Sequence, residues 1–252
     1  MRDERRRGIG KCIGAQAELV AEKIISDGFA VVRKVLDRGT LLRARAVLDA
    51  ALRTCTNNVS KGWERGGAGR HQVRKIRDIA LSETFFLELA ERRDLLLPVA
   101  AVLGGGGIRL HTSTVWMKPP GGEMKPPHQD APHWLHVDPP LFVTCWVAID
   151  DSTCDNGCLN FCRGSHRWGR LPHRRETDLV VMDFDTAGGV SVPLSAGDCT
   201  FHLGTTVHWS GPNLTESPRR GVAFAYMPSW VTIDGRGGPP SRYPIVGGGR
   251  VG

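Results

Sequence analysis

What this sequence lacks removes several classes of protein at once. It has no run of eighteen apolar residues, so no membrane-spanning helix is expected. The N-terminal charges Arg2, Arg5, Arg6, Arg7 and Lys11 are not followed by an apolar segment, so no secretory signal is expected either. The seven cysteines are odd in number and scattered. That pattern argues against a disulfide framework and for reduced thiols in a cytoplasmic setting. No internal repeat is visible, and nothing in the chain reports its oligomeric state. A net charge of +7 is present, but it is crowded into the N-terminus and into Arg163, Arg167, Arg170, Arg174 and Arg175. A nucleic-acid partner would call for a basic stripe interleaved with aromatics or a known module. Neither is found, so the charge reads as a solvated tail and a basic loop with a modest pull on anionic substrates.

What is present fits one domain. The 252 residues suit a single domain of the larger all-β kind. Gly 31 and Pro 16 suit a turn-rich β fold. Residues 1–11 read as a flexible basic tail and 12–252 as the domain. Ala15 to Ile25 has helical apolar spacing ended by Asp27-Gly28, followed by a strand at Phe29 to Val32. Thr40 to Leu52 is helical. Asn57 to His71 reads as a Gly-rich loop able to order over a substrate. Ser82 to Leu103 is helical with a break expected at Pro98. From Ile108 onward the chain is read as strands, at 109–117, 141–149, 159–162, 191–193, 199–203, 207–209 and 222–227. Between them lie a long loop at 119–127 and an irregular charged insertion at 171–185, with a loose end from 234 on. Helices first and strands after predict a mostly β fold with N-terminal helices, a double-stranded β-helix (jelly roll, cupin-like).

The residues that carry chemistry are His128-Gln129-Asp130 and the distant His208. Two imidazoles and one carboxylate can bind one face of an octahedral metal and leave the other open, as in non-haem Fe(II) oxygenases. On a strand, residues i and i+2 share a side, so His128 and Asp130 can reach one ion. His136-Val137-Asp138 repeats the short pattern, and context separates the two. His208 stands in an apolar stretch ending in the Gly211-Pro212-Asn213 turn, and Arg219 follows eleven residues later. A guanidinium beside an open metal face suits a dicarboxylate, which it can grip with two parallel hydrogen bonds. Cys154, Cys158 and Cys162 recur every four residues, whereas zinc sites use Cys-x2-Cys pairs, so no second metal is expected. Among the other histidines, His166 reads as a turn residue, His202 as an interior one, and His133 with Trp134 as substrate-side. Asp150-Asp151 reads as a strand-end acid pair.

Over roughly residues 20 to 230 the sequence resembles the phytanoyl-CoA dioxygenase-like Fe(II)/2-oxoglutarate-dependent oxygenases. The shared motifs, in order, begin with Asp27 to Val32, Val73 to Asp78, Lys118-Pro-Pro120 and His128-Gln-Asp130. Trp146 to Asp151, Asn156 to Leu159, Gly164-Ser-His166, Gly197-Asp198 and His208 to Asn213 complete the set. The resemblance implies that His128, Asp130 and His208 hold Fe(II). It implies that Arg219, with Ser210 beside it, anchors the distal carboxylate of 2-oxoglutarate. Trp146 then lines the co-substrate pocket and Lys75 contacts the co-substrate, as does Thr114, aligned back from Lys118. Asp155 stands where many members have Glu, and Cys162-Arg163 replaces a common Pro; neither touches a proposed ligand. The implied reaction uses O2 and 2-oxoglutarate, releases succinate and CO2, and oxidises a C–H bond of a small molecule. Hydroxylation leads, with desaturation, epoxidation and ring formation open; a place in bacterial secondary metabolism is the expected setting. Asp130 fills the position that halogenating relatives leave for halide, which argues against halogenation. The reading from a different class is a non-redox cupin-like metal protein, an isomerase or a sensor, which would have no use for an anchor at Arg219 and Ser210.

Overall fold

The computed structural model describes residues 2–55, 63–65, 73–104, 107–134, 137–175, 179–233 and 245–247. Most of the loop expected at 57–71, including its glycines at 66–69, and most of the end from 234 on lie outside these residues. In chain order the elements are α1 (Arg2–Asp27), β1 (Phe29–Val32), α2 (Arg38–Cys55), β2 (Trp63–Arg65), β3 (Val73–Arg77), α3 (Ile79–Ser82), α4 (Thr84–Ala90) and α5 (Arg93–Leu103). The β half follows with β4 (Ile108–Lys118), β5 (Lys125–His128), β6 (Val137–Asp138), β7 (Val143–Ala148), β8 (Leu159–Phe161) and β9 (His173–Arg175). It ends with β10 (Leu179–Val181), β11 (Val190–Val192), β12 (Cys199–Leu203), β13 (His208–Ser210), β14 (Arg219–Pro228), β15 (Thr232–Ile233) and β16 (Ile245–Gly247).

Two antiparallel sheets make the jelly roll. The larger runs β1-β12-β7-β14-β4-β3-β2, with β16 also on β4, and the smaller runs β11-β8-β13-β5. The larger sheet has two differently used faces because side chains alternate along each strand. Cys145, Val147, Phe201, Val222, Phe224 and Tyr226 point outward and are buried with Ile24, Leu48, Phe86, Leu95 and Val99 of the helices. Trp146, Ala148, Phe29 and Trp116 point inward and meet Leu159, Phe161 and Val192 of the smaller sheet. The helices therefore back one sheet, and the space between the sheets is left for chemistry.

The helices follow their apolar stripes. Ala17, Ala21 and Ile24 are buried on α1, and Leu41, Ala44, Leu48 and Ala51 on α2, both at the spacing of one helical face. Helix α1 stops where Gly28 takes φ +89. A Cβ there would meet His166 Nδ1 at 2.6 Å and Thr206 Oγ1 at 2.8 Å, so only glycine allows the close approach.

Three expectations are corrected. Helix α1 begins at Arg2, so the stretch read as a loose tail extends the helix ahead of its apolar face. Pro98 does not break the second helical region. It sits inside α5, and the break falls at Arg92, which is extended (φ −60, ψ 134). The helix gives up one hydrogen bond at Pro98 and keeps that residue buried in the core. The insertion at 171–185 is not irregular throughout, since β9 and β10 pair as an antiparallel ribbon. Gln129, between His128 and Asp130, ties that insertion down. Its Oε1 accepts from Leu171 N at 2.9 Å, its Nε2 donates to Gly169 O and Thr205 O, and its backbone N–H reaches His173 Nε2.

Candidate metal centre

The metal set is assembled from the smaller sheet. His128 ends β5 and His208 begins β13, and the two are directly paired across the strands. Asp130 follows two residues after His128. One donor atom from each of the three lies within 4.8 Å of the others, and this is the one such group of three or more among the described residues. His128 Nε2 and His208 Nε2 stand 4.0 and 3.8 Å from Asp130 Oδ1. His128 Nδ1 lies 2.8 Å from Pro126 O and His208 Nδ1 lies 3.1 Å from Thr206 O. A carbonyl can only accept, so each Nδ1 carries the proton and each Nε2 presents a lone pair to the centre.

Asp130 is held in the same way. Its Oδ2 accepts from Thr144 Oγ1 at 2.9 Å and from His202 Nε2 at 3.2 Å, which leaves Oδ1 to face the two rings. The electrostatics suit a cation. Burial and the neighbouring His208 hold the His128 pKa well below its ordinary value. Burial, with His202, brings His208 down to about 4. Burial works against ionisation of Asp130, but His208, the His202 hydrogen bond and His128 outweigh it, and its pKa lies well below the ordinary carboxylate value. Two neutral imidazoles and one carboxylate on one side of a cavity fit a divalent ion with open positions, and Fe(II) fits this donor set.

The cavity between the sheets has a volume of about 390 Å3 and is lined by these ligands and by Lys75, Lys118, Trp146, Ser210 and Arg219, among others. Arg219, the first residue of β14, is 4% exposed. Its Nη2 donates to Gly157 O at 3.0 Å, its guanidinium lies 5.1 Å from the centroid of the Trp146 ring, and its Nε has no hydrogen-bond partner. Burial lowers its pKa to about 10, which leaves it a cation at neutral pH. A buried guanidinium with an unused donor is costly unless an anion completes it, so this end of the cavity fits the distal carboxylate of 2-oxoglutarate. Gly221 makes the arrangement possible, because a Cβ there would collide with the Trp146 indole.

The structure brings most of the expected site residues together. Ser210 lines the cavity at the Arg219 end, and its Oγ accepts from Lys118 Nζ at 2.8 Å. Lys75 also lines the cavity, with Nζ 4.2 Å from the Trp116 ring centroid. Thr114 is buried on β4, opposite Ala223, but is not among the residues lining the cavity. Two contributors escaped the sequence reading, which took His202 for an interior residue and left Lys118 inside a motif. The alternation of His202 with Phe201 on a strand was the available signal for His202. For Lys118 there was none, because the hydrogen-bond partners of its ammonium, Ser210 and Gly211, are 92 and 93 residues away. His166 is the supporting turn residue expected, its Nε2 lying 3.0 Å from Ile25 O at the end of α1. Asp150 takes a two-pronged grip from Arg220 at 2.7 and 3.0 Å, away from the cavity.

Three of the shared motifs converge on the same end. Asn156 fixes its turn by accepting from Thr153 N and donating to Asp151 O, and Gly157 (φ +81) then packs against Gly211 and Lys118. Asn213 Nδ2 donates to Lys118 O at 3.0 Å. Asn156-Gly157, Lys118-Pro119-Pro120 and Ser210 to Asn213 thus build one wall.

Such a jelly roll, with a His-Asp-His set and a buried guanidinium in its cavity, fits the class of non-haem iron, 2-oxoglutarate-dependent oxygenases. Residues 25–221 match the phytanoyl-CoA dioxygenase (PhyH) family, and the chain belongs to that family. A methylphosphonate hydroxylase of Gimesia maris is 34% identical over 128 residues, 50% of this chain and 48% of that protein. The chain thus spans about half the length of that curated relative. Among solved structures, the epimerase SnoN with Fe3+, alpha-ketoglutarate and nogalamycin RO is 25% identical with a TM-score of 0.77, covering 92% of this chain and 99% of its own. The non-haem monooxygenase ThoJ is 28% identical with a TM-score of 0.75, covering 92% and 85%. Among the described residues no helix is long and apolar enough to cross a membrane.

Proposed function

We propose that the protein is an Fe(II)/2-oxoglutarate-dependent dioxygenase that hydroxylates a C–H bond of a small molecule bearing an anionic group. The single observation that carries this is the buried cavity with a three-donor metal face at one position and an incompletely bonded guanidinium at another. His128, Asp130 and His208 would hold the iron and Arg219 with Ser210 the distal carboxylate, so that the co-substrate's other end reaches the metal. When bound, the iron supplies activation of O2 coupled to decarboxylation of 2-oxoglutarate. The protein's own work is positioning. Pro126 O and Thr206 O aim the two imidazoles, Thr144 and His202 aim the carboxylate, and the apolar walls at Trp146 and Leu159 keep water scarce.

The anionic character of the substrate is supported by the other end of the cavity. Arg74, Lys75 and Lys125 line it, with both ammoniums near the Trp116 ring, against one carboxylate, Glu123, 3.9 Å from Arg74. A focused positive field draws in anions. The related Gimesia maris protein, named for methylphosphonate, and SnoN, from nogalamycin biosynthesis, support a small molecule and a role in bacterial metabolite tailoring.

The test is an anaerobic titration of Fe(II)-loaded protein with 2-oxoglutarate, followed in air by a screen of small carboxylates, phosphates and phosphonates for stimulated succinate release. Binding of 2-oxoglutarate together with substrate-stimulated succinate supports the reading. Failure to bind 2-oxoglutarate would return the protein to the non-redox cupin alternative. Stimulation by neutral metabolites alone would remove the anionic group from the proposal.

A further inference from the structure

The Arg219 end of the cavity holds a second buried cation that the co-substrate reading does not use. Lys118 is the last residue of β4 and lies opposite Arg219 in the β4–β14 register. The two side chains are 6% and 4% exposed, and neither forms an ion pair with a carboxylate among the described residues. The Lys118 ammonium is instead fully engaged with the end of β13. It donates to Ser210 Oγ at 2.8 Å, to Gly211 O, and more weakly to Ser210 O at 3.4 Å. Gly157 packs on its stem so closely that an added Cβ would lie 3.0 Å from both Cδ and Nζ. Lys118 is therefore held by contacts on several sides, and its three protons are directed at protein acceptors.

That geometry has a consequence for Ser210. A hydroxyl that accepts from Lys118 still has its own proton to place, and the side of Ser210 that remains is the cavity beside Arg219. We propose that Lys118 is a positioning residue that turns the Ser210 hydroxyl into a donor toward the distal carboxylate of 2-oxoglutarate, and that co-substrate binding is thereby coupled to protonation of Lys118. The inference rests on the co-substrate reading given above.

The electrostatics agree with the geometry. Burial, then Arg219 and Arg74, lower the Lys118 pKa to about 7, while Cys158 acts weakly the other way. These groups, with Ser210, Gly157 and Gly211, are the charged and polar neighbours supplied by β14, β3, β13 and the turn before β8. With the cavity empty, Lys118 thus spends part of its time neutral near neutral pH. A neutral amine can accept the Ser210 proton, which would turn the hydroxyl away from the cavity. A carboxylate arriving at Arg219 offsets the repulsion between the two cations and favours the ammonium. By linkage, a ligand that prefers the protonated form takes up protons on binding and weakens as pH rises, up to tenfold per unit.

The experiment is calorimetric titration of anaerobic, Fe(II)-loaded full-length protein with 2-oxoglutarate, between about pH 6 and about pH 9, in buffers of different ionisation enthalpy. The expected result is net proton uptake near and above neutrality, with affinity falling as pH rises. In Lys118→Met the uptake should vanish and affinity at low pH should drop. Lys118→Arg, a permanent cation, should give pH-independent binding. Ser210→Ala should cost affinity in the parent protein and much less in the Lys118→Met background. Proton-neutral binding by the parent protein would overturn the inference while leaving the co-substrate reading intact, and that measurement needs no variant to fold. Proton uptake that persists in Lys118→Met would also overturn it. Absence of any 2-oxoglutarate binding by the parent protein would overturn the co-substrate reading, and this inference with it.

Discussion

His202 shows how a residue that does not face the metal decides what its neighbour offers. Its Nε2–H and the Thr144 hydroxyl both hold Oδ2 of Asp130, so Oδ1 is left to face the His128 and His208 rings. Removing that support by His202→Phe should lower Fe(II) affinity about 10–100-fold, the usual cost of losing an outer-shell partner. His202→Gln, which keeps a donor, should recover part of it. Anaerobic Fe(II) titration checks both, and unchanged affinity in His202→Phe would assign Asp130 no need of the bond. Arg219 and Arg220 make a second pair of contrasting neighbours. Arg219→Ala should weaken 2-oxoglutarate binding by about 2–5 kcal/mol, the range for a buried charge that loses its partner. Arg219→Lys should restore only part, because lysine lacks the two-pronged fork. Arg220 points the other way, bonded to Asp150 and Asp49, so Arg220→Ala should leave co-substrate binding unchanged and show its effect in thermal stability. The reverse pattern in the two titrations would relocate the anchor.

At the scale of elements, alternation along β14 and β7 is what separates core from site. Val222 and Phe224 are buried with the helices, while Arg219 and Gly221 turn to the cavity. The inward positions are tuned to each other's size. Gly221→Ala should drive the Trp146 indole out of its place and disturb the guanidinium stacked near it. The expected outcome is a lower melting temperature together with weaker 2-oxoglutarate binding, since overpacking a core costs about 1–3 kcal/mol. A loss of stability with unaltered co-substrate affinity would show that Trp146 only fills space. Strands such as β7 and β14 were legible because their β-prone, largely apolar runs are written locally. The β9–β10 ribbon was not, because it is tied down through Gln129, which sits forty residues away in the chain. Pro98 misled for a related reason. A proline's local cost inside a helix was weighed without the burial that offsets it.

The molecule as a whole should respond to acid through its metal site. His128 and His208 are held neutral in the fold, His208 with a pKa of about 4 against an ordinary 6.5. Between those values the unfolded chain binds more protons than the folded one, so stability falls as pH falls through that window. Above pH 6.5 these rings contribute no pH dependence. The His208 shift alone corresponds to about 3 kcal/mol, fully lost below pH 4. Asp130, whose pKa is lowered below 3.8, adds a loss in the same direction only in stronger acid. The metal-free protein should therefore show a declining melting temperature from about pH 6.5 to about pH 4. Saturating Fe(II) should raise it at neutral pH, because an ion that binds only the folded state stabilises by mass action. A flat profile in the metal-free protein, matched by His208→Gln, would contradict the assignment of a neutral buried ring.

The chain by itself determined the types and order of the proposed ligands, His128, Asp130 and His208. His128 and Asp130 stand two residues apart, the spacing that lets both reach one side of an extended backbone, although only His128 belongs to β5 and Asp130 lies in the bend just beyond it. Arg219 followed from its place eleven residues after His208 and from the family resemblance, and alternation along β14 turns its neighbour Arg220 to the opposite face. Tertiary structure alone decided which atoms of those residues face the ion and which partners complete the anion end. The tautomers depend on carbonyls at Pro126 and Thr206, the carboxylate on His202 and Thr144, and Ser210 on Lys118. The last two sets reach across 14, 72 and 92 residues of chain, and hydrogen bonds of that kind leave no periodic trace in the residues that make them.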